Sequence, residues 1–356
     1  MKAIKTLHII FPEKFFNNYI EFVNRNFEEE DHLFISLKSS KQYKQFSNLK
    51  YLKYYRWGFL YYWEMYKYVA KSDKVILHSL QKSKVIYFFY LFKKFRSKCY
   101  WYLWGGDLYY RLDKQGQANL LNWKNRWFGS LVRDLGGIAT HFAGDVDLAR
   151  KAFSFCGEHI HCFLYPSNIF PGSDLENKTS SKLVIQVGNS SHVSNSHEEV
   201  LEKLAYLKEE DIEIICPLSY GDKKNAKKII GMGKRIFGDK FTAITNFMPL
   251  AAYLDLISKV DIAIFNHWRQ QGSGNLISLV GMGKTVYIRE DISTWKMFQD
   301  LGIKVISFNN FQQVELLNAD EKRANNQIIS NYFNEENLRI QSKNVFDHNP
   351  VSKNSK

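Results

Sequence analysis

The sequence predicts an α/β protein of two Rossmann-like domains, each built on a parallel sheet, that face each other across a cleft. Three observations support this fold class. Apolar runs of strand length alternate with stretches of helical periodicity along most of the chain. The length of 356 residues suits two domains better than one. A polar segment with two prolines and a glycine, residues 165–181, interrupts the alternation near the middle.

This interruption sets the predicted domain limits. Residues 1–166 form the first domain, 167–181 the linker and 182–322 the second domain. Residues 323–356 form a C-terminal helix and a polar end that frays from Asp347 onward. Because strands and helices alternate on both sides of the linker, each domain is expected to carry its own parallel sheet.

In the first domain, strands are predicted at 5–10, 33–37, 75–78, 99–104, 137–143 and 160–164. Residues 51–68 hold ten aromatic residues in eighteen positions. This stretch fits a thick helix packed on the sheet. It also fits an amphipathic face that lies on a membrane, with Trp and Tyr at headgroup depth.

A second apolar stretch, Val85–Phe92, is flanked by six cations: Lys82, Lys84, Lys93, Lys94, Arg96 and Lys98. A buried helix with solvated ends explains this pattern as well as a membrane-surface anchor does. The run is far shorter than the roughly 20 residues of a membrane span.

The N-terminus enters a strand directly rather than a signal peptide, and the four cysteines form no C-x-x-C pair, so we expect a cytosolic protein.

The net charge of +13 is concentrated in the first half of the chain. Residues 1–166 hold 26 Lys and Arg against 14 Asp and Glu, whereas residues 167–356 hold 23 against 22. An anionic partner is therefore expected near the N-terminal half. Nucleic acid, anionic lipid headgroups and a phosphorylated substrate all satisfy this requirement on composition alone.

Candidate chemistry in the first domain centres on Asp107. The strand 99–104 ends in two glycines followed by this carboxylate, which places it at the sheet edge where open α/β folds bind ligands. Asp107 is a candidate general base, and a helix N-cap is the equally supported alternative.

Two other motifs, Asp145-Val146-Asp147 and 156–162, suggest metal binding at first sight. A helix start explains the first, and strand alternation separates His159 and His161 from Cys162, so no metal site is expected.

In the second domain, strands are predicted at 183–187, 212–216, 241–244, 262–265 and 285–288, and helices at 197–207, 226–237 and 250–257, with further helix after Phe311 to about Phe346. The loop Asn266–Gly274 places two glycines just ahead of a helix, and Arg269 lies beside them. Uncovered amides at the positive end of a helix and a guanidinium fork suit a diphosphate. The alternative is that the glycines only let helix and strand pack closely.

Three motifs carry a resemblance to a known family. They are Gly188-Asn189-Ser190, Phe247-Met248-Pro249 and the string from Trp268 to Gly274, and the likeness is densest between Leu183 and Glu290. The chain resembles the TDP-N-acetylfucosamine:lipid II N-acetylfucosaminyltransferases. The first half adds Trp104-Gly-Gly-Asp107-Leu-Tyr, where the family usually has Ala at the second glycine.

The resemblance implies a GT-B fold and an inverting transfer without a metal or other cofactor. The donor would be a TDP-linked deoxy-amino sugar similar to Fuc4NAc, and the acceptor a polyprenyl-diphosphate-linked saccharide. The enzyme would act peripherally at the cytoplasmic face of the bacterial inner membrane, in a pathway similar to enterobacterial common antigen synthesis. The aromatic and basic excess of the N-terminal half agrees with such a membrane-facing, acceptor-binding domain.

The resemblance also implies site roles. The donor-binding residues would be Gly188, Asn189, Ser190, Tyr220, Phe247, Met248, Arg269, Gln270, Gln271, Gly272, Ser273, Gly274 and Asn275. Asp107 is the first choice for the catalytic base and His78 the second. No glutamate follows the Arg269 loop at the spacing of retaining E-x₇-E enzymes, which favours inversion.

Two other functions compete with this interpretation. The basic half suits a nucleic-acid-binding protein, but its cations are interleaved with apolar runs and no recognised binding module is present. A nucleotide-sugar enzyme that is not a transferase, such as a GT-B-like epimerase, would share the second domain. However, this function would not explain why the first half of the chain is basic.

Overall fold

The computed structural model describes residues 4–13, 15–38, 43–52, 58–113, 115–172 and 182–349, and side chains within these ranges except those of residues 58 and 59. The chain divides into two compact units. Unit 1 comprises Met1–Ile169 and Glu335–Lys356, and unit 2 comprises Phe170–Asn334. The last helix therefore belongs with the first unit, whereas the sequence pattern groups residues 323–356 as one terminal segment.

Unit 1 is built on a parallel sheet. Its strands are β1 (Ile4–Ile10), β2 (His32–Ser36), β3 (Leu49–Tyr51), β4 (Ser72–His78), β5 (Cys99–Tyr102), β6 (Gly137–Ala139) and β7 (Glu158–Ile160). Their order in the sheet is β3-β2-β1-β4-β5-β6-β7. The order reverses between β1 and β4, which is the switch point of a doubly wound fold. The strands predicted at 99–104, 137–143 and 160–164 end earlier than expected, at Tyr102, Ala139 and Ile160.

Unit 2 carries a second parallel sheet. Its strands are β8 (Leu183–Val187), β9 (Ile212–Pro217), β10 (Phe241–Ile244), β11 (Ile262–Phe265), β12 (Thr285–Ile288) and β13 (Ile306–Ser307), in the order β10-β9-β8-β11-β12-β13. Four of them have the limits that the apolar runs predict. Here the switch point lies between β8 and β11. The prediction of two Rossmann-like domains with parallel sheets is confirmed.

The helices connect these strands. They are α1 (Phe16–Asn26), α2 (Gly58–Lys71), α3 (Ser83–Leu91), α4 (Gly106–Tyr109), α5 (Trp123–Arg133), α6 (Ala143–Phe153), α7 (His197–Lys203), α8 (Lys223–Phe237), α9 (Leu250–Ser258), α10 (Ser273–Gly281), α11 (Ser293–Asp300), α12 (Ala319–Tyr332) and α13 (Glu335–Asp347). The predicted helix 197–207 changes to a 3₁₀ turn after Lys203. The aromatic stretch 51–68 is helical from Gly58, and its residues 53–57 lie outside the described ranges.

Both apolar stretches of the first half pack into the core of unit 1. Helix α2 buries Tyr61, Met65 and Val69, which are spaced four residues apart on one face. Helix α3 buries Val85 and Phe88 among other residues, so much of its apolar run is core. The packing interpretation holds for these faces, while the opposite face of α2 leaves Trp63 56% exposed.

The terminal helix α13 is fastened to the sheet of unit 1. The Lys74 ammonium on β4 donates hydrogen bonds to the carbonyls of Val345, at 2.8 Å, and Phe346. Beyond the helix, His348 Nδ1 lies 2.8 Å from the Tyr100 hydroxyl on β5. The fraying predicted from Asp347 is therefore not seen at Asp347 and His348, and residues 350–356 lie outside the described ranges.

The flanking cations of α3 divide into two groups. Lys82, Lys84, Lys93 and Lys94 are exposed, as expected for cations that meet solvent or a surface. Arg96 and Lys98 are corrections to the predicted membrane-contact set. Arg96 is 1% exposed, and Lys98 is half-buried with its ammonium donating to the carbonyls of Val69, at 2.7 Å, and Ser72. Their charges satisfy backbone groups inside unit 1.

Arg96 joins α3 to α5. Its Nε donates to the Phe89 carbonyl at 2.7 Å, and Nη1 donates to the Ser130 carbonyl and to Asp134 Oδ2, both at 2.8 Å. Arg133 is bound to the same Asp134 carboxylate at 2.9 Å but is exposed. The two arginines therefore share a partner and differ in burial.

We expect Arg96→Met to lower the free energy of unfolding by roughly 2–4 kcal/mol, because buried carbonyls lose their donor. Arg133→Met should change it by less than about 1 kcal/mol, since an exposed ion pair is screened by water. Urea denaturation of the two variants measures both values. Equal losses would contradict the structural role assigned to Arg96.

Candidate functional site

The candidate donor site lies at the carboxyl edge of the unit 2 sheet. Strands β8 and β11 are neighbours there, and the chain leaves them toward opposite sides of the sheet. The loops that follow them, residues 188–196 and 266–272, therefore meet over the same crevice. This is the position at which open parallel sheets bind ligands.

The first loop depends on Gly188, whose φ is +67°. A Cβ there would lie 2.6 Å from His197 Nε2, so both the backbone angle and the space require glycine. The next residue, Asn189, is buried, and its backbone N–H donates to Asn195 Oδ1 at 3.0 Å. The Ser190 hydroxyl accepts from Asn195 Nδ2 at 3.1 Å.

The two loops are joined by side-chain hydrogen bonds. Gln271 Nε2 donates to Asn189 Oδ1 at 3.3 Å, and the Ser194 hydroxyl bonds to Gln271 Oε1. Asn189 Nδ2 donates to the Tyr220 hydroxyl at 3.1 Å, which brings in the loop after β9. The structure thus brings together Asn189, Tyr220 and Gln271, which the sequence places at three separate strand ends.

Helix α10 begins directly under this junction. Its N-cap is Gly272, with φ +69°, and no described side chain caps the helix. A Cβ on Gly272 would lie 2.8 Å from Asn189 Nδ2. The first-turn amides of Ser273, Gly274 and Asn275 are at the positive end of a nine-residue helix, where an anion is stabilised.

Arg269 adds positive charge to the same place. The side chain is half-buried, and Nη1 donates to the Gln270 carbonyl at 3.1 Å. On the loop after β8, burial and then the nearby Arg269 charge lower the pKa of His192, and the Asp222 carboxylate opposes them. His267 is fully buried, and burial followed by the charges of His197 and Arg269 holds its pKa well below the usual range.

Several buried polar atoms beside the junction have no hydrogen-bond partner among the described residues. They include Gln270 Oε1, His267 Nδ1 and both ring nitrogens of His197. Buried polar atoms are satisfied in nearly all native proteins. These atoms are therefore positions where a ligand or water would find a partner.

The remaining predicted donor residues lie farther along the edge. Phe247 and Met248 follow β10, and the Phe247 ring is 72% exposed. The ring of Tyr220 is also exposed although its hydroxyl is bound. These two rings present apolar surface beside the junction, and their contact with base and ribose stays a prediction.

In unit 1, Asp107 is buried rather than open to a substrate. It is 2% exposed, and Oδ2 accepts from the Leu80 backbone N–H at 2.8 Å and from Trp101 Nε1 at 2.7 Å, while Oδ1 accepts from the Trp104 N–H at 3.2 Å. Burial raises the pKa of this carboxyl, and the hydrogen bonds oppose the rise. Asp107 lies within α4, whose N-cap is Gly105, so the alternative N-cap role is wrong.

His78, the second candidate base, is also buried. Its Nδ1 lies 2.7 Å from the Tyr165 hydroxyl and its Nε2 lies 3.1 Å from His8 Nδ1. Burial holds the pKa of His78 well below its usual range, so the imidazole is neutral at neutral pH.

Sequence reasoning missed several residues of both sites. Asn195 and His267 in unit 2 are fully buried, and so is His8 in unit 1. One sequence feature could have indicated them: a polar residue inside an apolar strand or at its end, such as His8 within β1.

The metal motifs are explained by local structure. Asp145 is buried in the first turn of α6 and accepts from the Tyr109 hydroxyl at 2.7 Å; Phe142 is the N-cap, which corrects the predicted capping role of Asp145. His159 bonds to the Thr140 carbonyl. Within the described part of the chain, no group of three or more His, Cys, Asp and Glu side chains could hold a metal ion.

Solved glycosyltransferase structures share this fold. Anabaena HepE, in complex with UDP and glucose, superposes with a TM-score of 0.63 at 10% identity, covering 96% of this chain and 99% of that chain. Sucrose-phosphate synthase from Thermosynechococcus elongatus gives 0.63 at 10% identity, covering 96% and 98%. WaaG, a glycosyltransferase involved in lipopolysaccharide biosynthesis, gives 0.59 at 10% identity, covering 97% and 100%. At such identities the likeness shows the fold alone.

The family is shown by the sequence. The model of the family described as 4-alpha-L-fucosyltransferase, glycosyl transferase group 56, matches residues 10–339, which is most of the chain. The expected fold class and enzyme class are therefore confirmed. The chain belongs to the 4-alpha-L-fucosyltransferase family of group 56 and is a glycosyltransferase with the GT-B fold.

Proposed function

We propose that the enzyme transfers a deoxy-amino sugar similar to Fuc4NAc from a TDP-sugar to a polyprenyl-diphosphate-linked saccharide, with inversion and without a metal. The reaction would serve bacterial surface polysaccharide synthesis, at the cytoplasmic face of the inner membrane. The observation that carries the donor side is the junction of the two loops over the start of α10, with Arg269 beside it. The nucleotide and the sugar are carried over from the family resemblance.

The donor diphosphate would lie against the amides of Ser273–Asn275 and the Arg269 guanidinium. As the glycosidic C–O bond breaks, negative charge grows on the leaving diphosphate. A helix end and a guanidinium that are already in place stabilise that charge without reorganisation. They supply the counter-charge that a divalent cation supplies in metal-dependent transferases, which supports metal independence.

A base is required for a single in-line displacement by the acceptor hydroxyl. Unit 1 would supply it from Asp107 or His78. Both oxygens of Asp107 already accept hydrogen bonds from buried donors, and these bonds fix the backbone around it. His78 can exchange a proton through Tyr165, so the geometry favours His78.

We expect Arg269→Ala to lower kcat by roughly two orders of magnitude or more, because the leaving diphosphate loses its guanidinium. Thermal shift with TDP, UDP, GDP and CMP should show stabilisation of the wild type by one diphosphate and its loss in the variant. Arg323→Ala, an exposed arginine on α12 of the same unit, is the control and should behave as the wild type.

Near-normal turnover of Arg269→Ala would reject the diphosphate site. The same preparations separate the other functions. Release of a free sugar epimer without acceptor would indicate an epimerase, and a salt-sensitive shift of DNA without any nucleotide effect would indicate a nucleic-acid-binding protein.

The membrane contact would be made by an aromatic groove on unit 1. The groove has a volume of about 910 Å³ and lies between α2 and α3; its lining residues are Leu60, Tyr62, Trp63, Tyr66, Tyr87, Leu91 and Phe92. Lysines border it, with Lys67 Nζ 5.6 Å from the Trp63 ring centroid and Lys94 Nζ 5.3 Å from that of Tyr66. Among the described helices, none is long and apolar enough to span a bilayer.

Exposed apolar side chains continue from this groove toward α5. Leu121 is 95% exposed and Trp123 is half exposed, with Lys124 Nζ 5.4 Å from its ring. Aromatic rings bordered by lysines match an anionic leaflet, in which the rings enter the headgroup region and the ammonium groups meet phosphates. We therefore propose an anionic membrane surface as the partner of this face.

We expect the wild type to sediment with vesicles containing phosphatidylglycerol, less with pure phosphatidylcholine, and less at high salt. Trp63→Ser should weaken the binding roughly tenfold through lost apolar burial. Leu316→Ser, an exposed apolar residue of unit 2, is the matched control and should bind as the wild type. Equal binding of all three proteins would reject the groove as the membrane contact.

A further inference from the structure

Three buried histidines and a tyrosine form one continuous hydrogen-bonded chain across the sheet of unit 1. His32 Nδ1 on β2 lies 3.0 Å from His8 Nε2 on β1, and His8 Nδ1 lies 3.1 Å from His78 Nε2 on β4. His78 Nδ1 lies 2.7 Å from the Tyr165 hydroxyl. We refer to His32, His8, His78 and Tyr165 as the histidine chain.

The chain can transmit a proton because neutral imidazoles donate with one nitrogen and accept with the other. Trp104 Nε1, which can only donate, gives a hydrogen bond to the Tyr165 oxygen at 2.8 Å. The Tyr165 O–H can then donate to His78 Nδ1, His78 Nε2–H to His8 Nδ1, and His8 Nε2–H to His32 Nδ1. In this order every donor from Trp104 to His8 has an acceptor, so a proton that reaches the Tyr165 oxygen can be passed on to His32.

The Tyr165 end of the histidine chain lies at the carboxyl edge of the sheet, where parallel sheets bind ligands. The backbone there is strained. Ser79, which follows His78, has φ +71°, and Leu164, which precedes Tyr165, has φ +72°. Non-glycine residues in this region cost energy and are concentrated at functional sites.

Asp107 holds this strained edge in place. It accepts from the N–H of Leu80, next to Ser79, and from the N–H of Trp104. The carboxylate therefore fixes the turn that follows His78 and the backbone of Trp104, whose indole donates to Tyr165. This makes Asp107 a positioning residue.

We propose that the histidine chain accepts the proton released by the acceptor hydroxyl during sugar transfer, with Tyr165 as the receiving group. This inference rests on the proposed function. The acceptor hydroxyl would replace the half-buried Trp104 indole as the hydrogen-bond donor to the Tyr165 oxygen. Tyr165 and His78 would then act as the base through a relay.

The acceptor oxygen forms a bond to the anomeric carbon, and the bond from that carbon to the diphosphate oxygen breaks, with its electron pair leaving on the diphosphate. The acceptor proton passes to Tyr165 as the Tyr165 proton passes to His78, the His78 proton to His8 and the His8 proton to His32. His32 becomes an imidazolium. After the product leaves, the same transfers in reverse return a proton through Tyr165 to water.

His32 is the suitable end for this charge. Burial lowers its pKa, the Asp31 carboxylate opposes the fall, Lys5 adds to it and Asp347 opposes it, so that the pKa lies at about 4. His8 and His78 are buried more completely, and burial holds their pKa values well below the usual range. Moving the proton to His32 therefore takes the positive charge out of the apolar interior toward two acidic groups.

The test compares wild type with His8→Gln and Tyr165→Phe. A general base supplies roughly 100-fold or more, so we expect kcat to fall about 100-fold in Tyr165→Phe and about tenfold in His8→Gln. The donor KM and the nucleotide thermal shift should not change, and the solvent deuterium isotope effect on kcat should change. Tyr19→Phe is the matched control, since its ring packs on both His78 and Tyr165 but its hydroxyl lies beside Tyr102, outside the chain.

A wild-type kcat in both His8→Gln and Tyr165→Phe would overturn the proposal, and so would a loss of kcat in Tyr19→Phe equal to that in Tyr165→Phe. A second measurement does not depend on turnover: ¹⁵N NMR of the imidazoles should show His8 and His78 neutral, with strongly hydrogen-bonded N–H protons. If the wild type lacked these hydrogen-bonded N–H signals, the proposal would also be overturned. Failure of the proposed function differs from both, because the wild type would then transfer no sugar while the imidazole signals remained.

Discussion

The arrangement of the candidate donor site depends on the hydrogen bonds of the Asn195 side-chain amide. It is fully buried, its Oδ1 accepts from the Asn189 backbone N–H and from His267 Nε2 at 2.9 Å, and its Nδ2 donates to the Ser190 hydroxyl. One side chain thus ties the loop after β8 to the loop after β11. A buried amide with all its hydrogen bonds made has one arrangement, because any other leaves a polar group unpaired. The start of α10 is therefore held in one geometry toward a ligand.

Unit 1 uses the same principle with Asp107. In both units a short, buried polar side chain at the carboxyl edge of a parallel sheet bonds to groups on two segments: Asp107 to the backbone N–H groups of Leu80 and Trp104, and Asn195 to the Asn189 N–H and the His267 ring. The sheet fixes where its strands end, but the turns beyond them lack the hydrogen bonds between strands. A side chain that bonds to both segments replaces those hydrogen bonds. The proposed functional groups, Arg269 in unit 2 and His78 in unit 1, lie on or beside segments fixed in this way.

Charge in this protein must be counted by location. The basic excess of the first half suggests a continuous cationic surface. Three of its cations, Arg96, Lys98 and Lys74, instead donate hydrogen bonds to backbone carbonyls within unit 1. Of the cations that remain exposed around α3, Lys82, Lys84 and Lys94 lie beside aromatic rings. That pairing of rings and ammonium groups suits a lipid surface better than the phosphates of a duplex, which need cations ordered along a groove.

The strands, the helices and the loop proposed to bind the donor can be predicted from the sequence. Strands such as Ile262–Phe265 are apolar runs bounded by polar residues, and the glycines before α10 mark a helix start open to an anion; both are local properties that a short window contains. The folded chain is needed to see that Asn195 joins two loops, that α13 packs on unit 1, and that His32, His8 and His78 align across three strands. These contacts depend on partners up to 272 residues apart, as in the bond from Lys74 to Phe346, and on strand order, which the local pattern does not encode. The same holds for Asp107, whose position at a strand end predicted reactivity until the tertiary partners showed that its carboxylate was already bound.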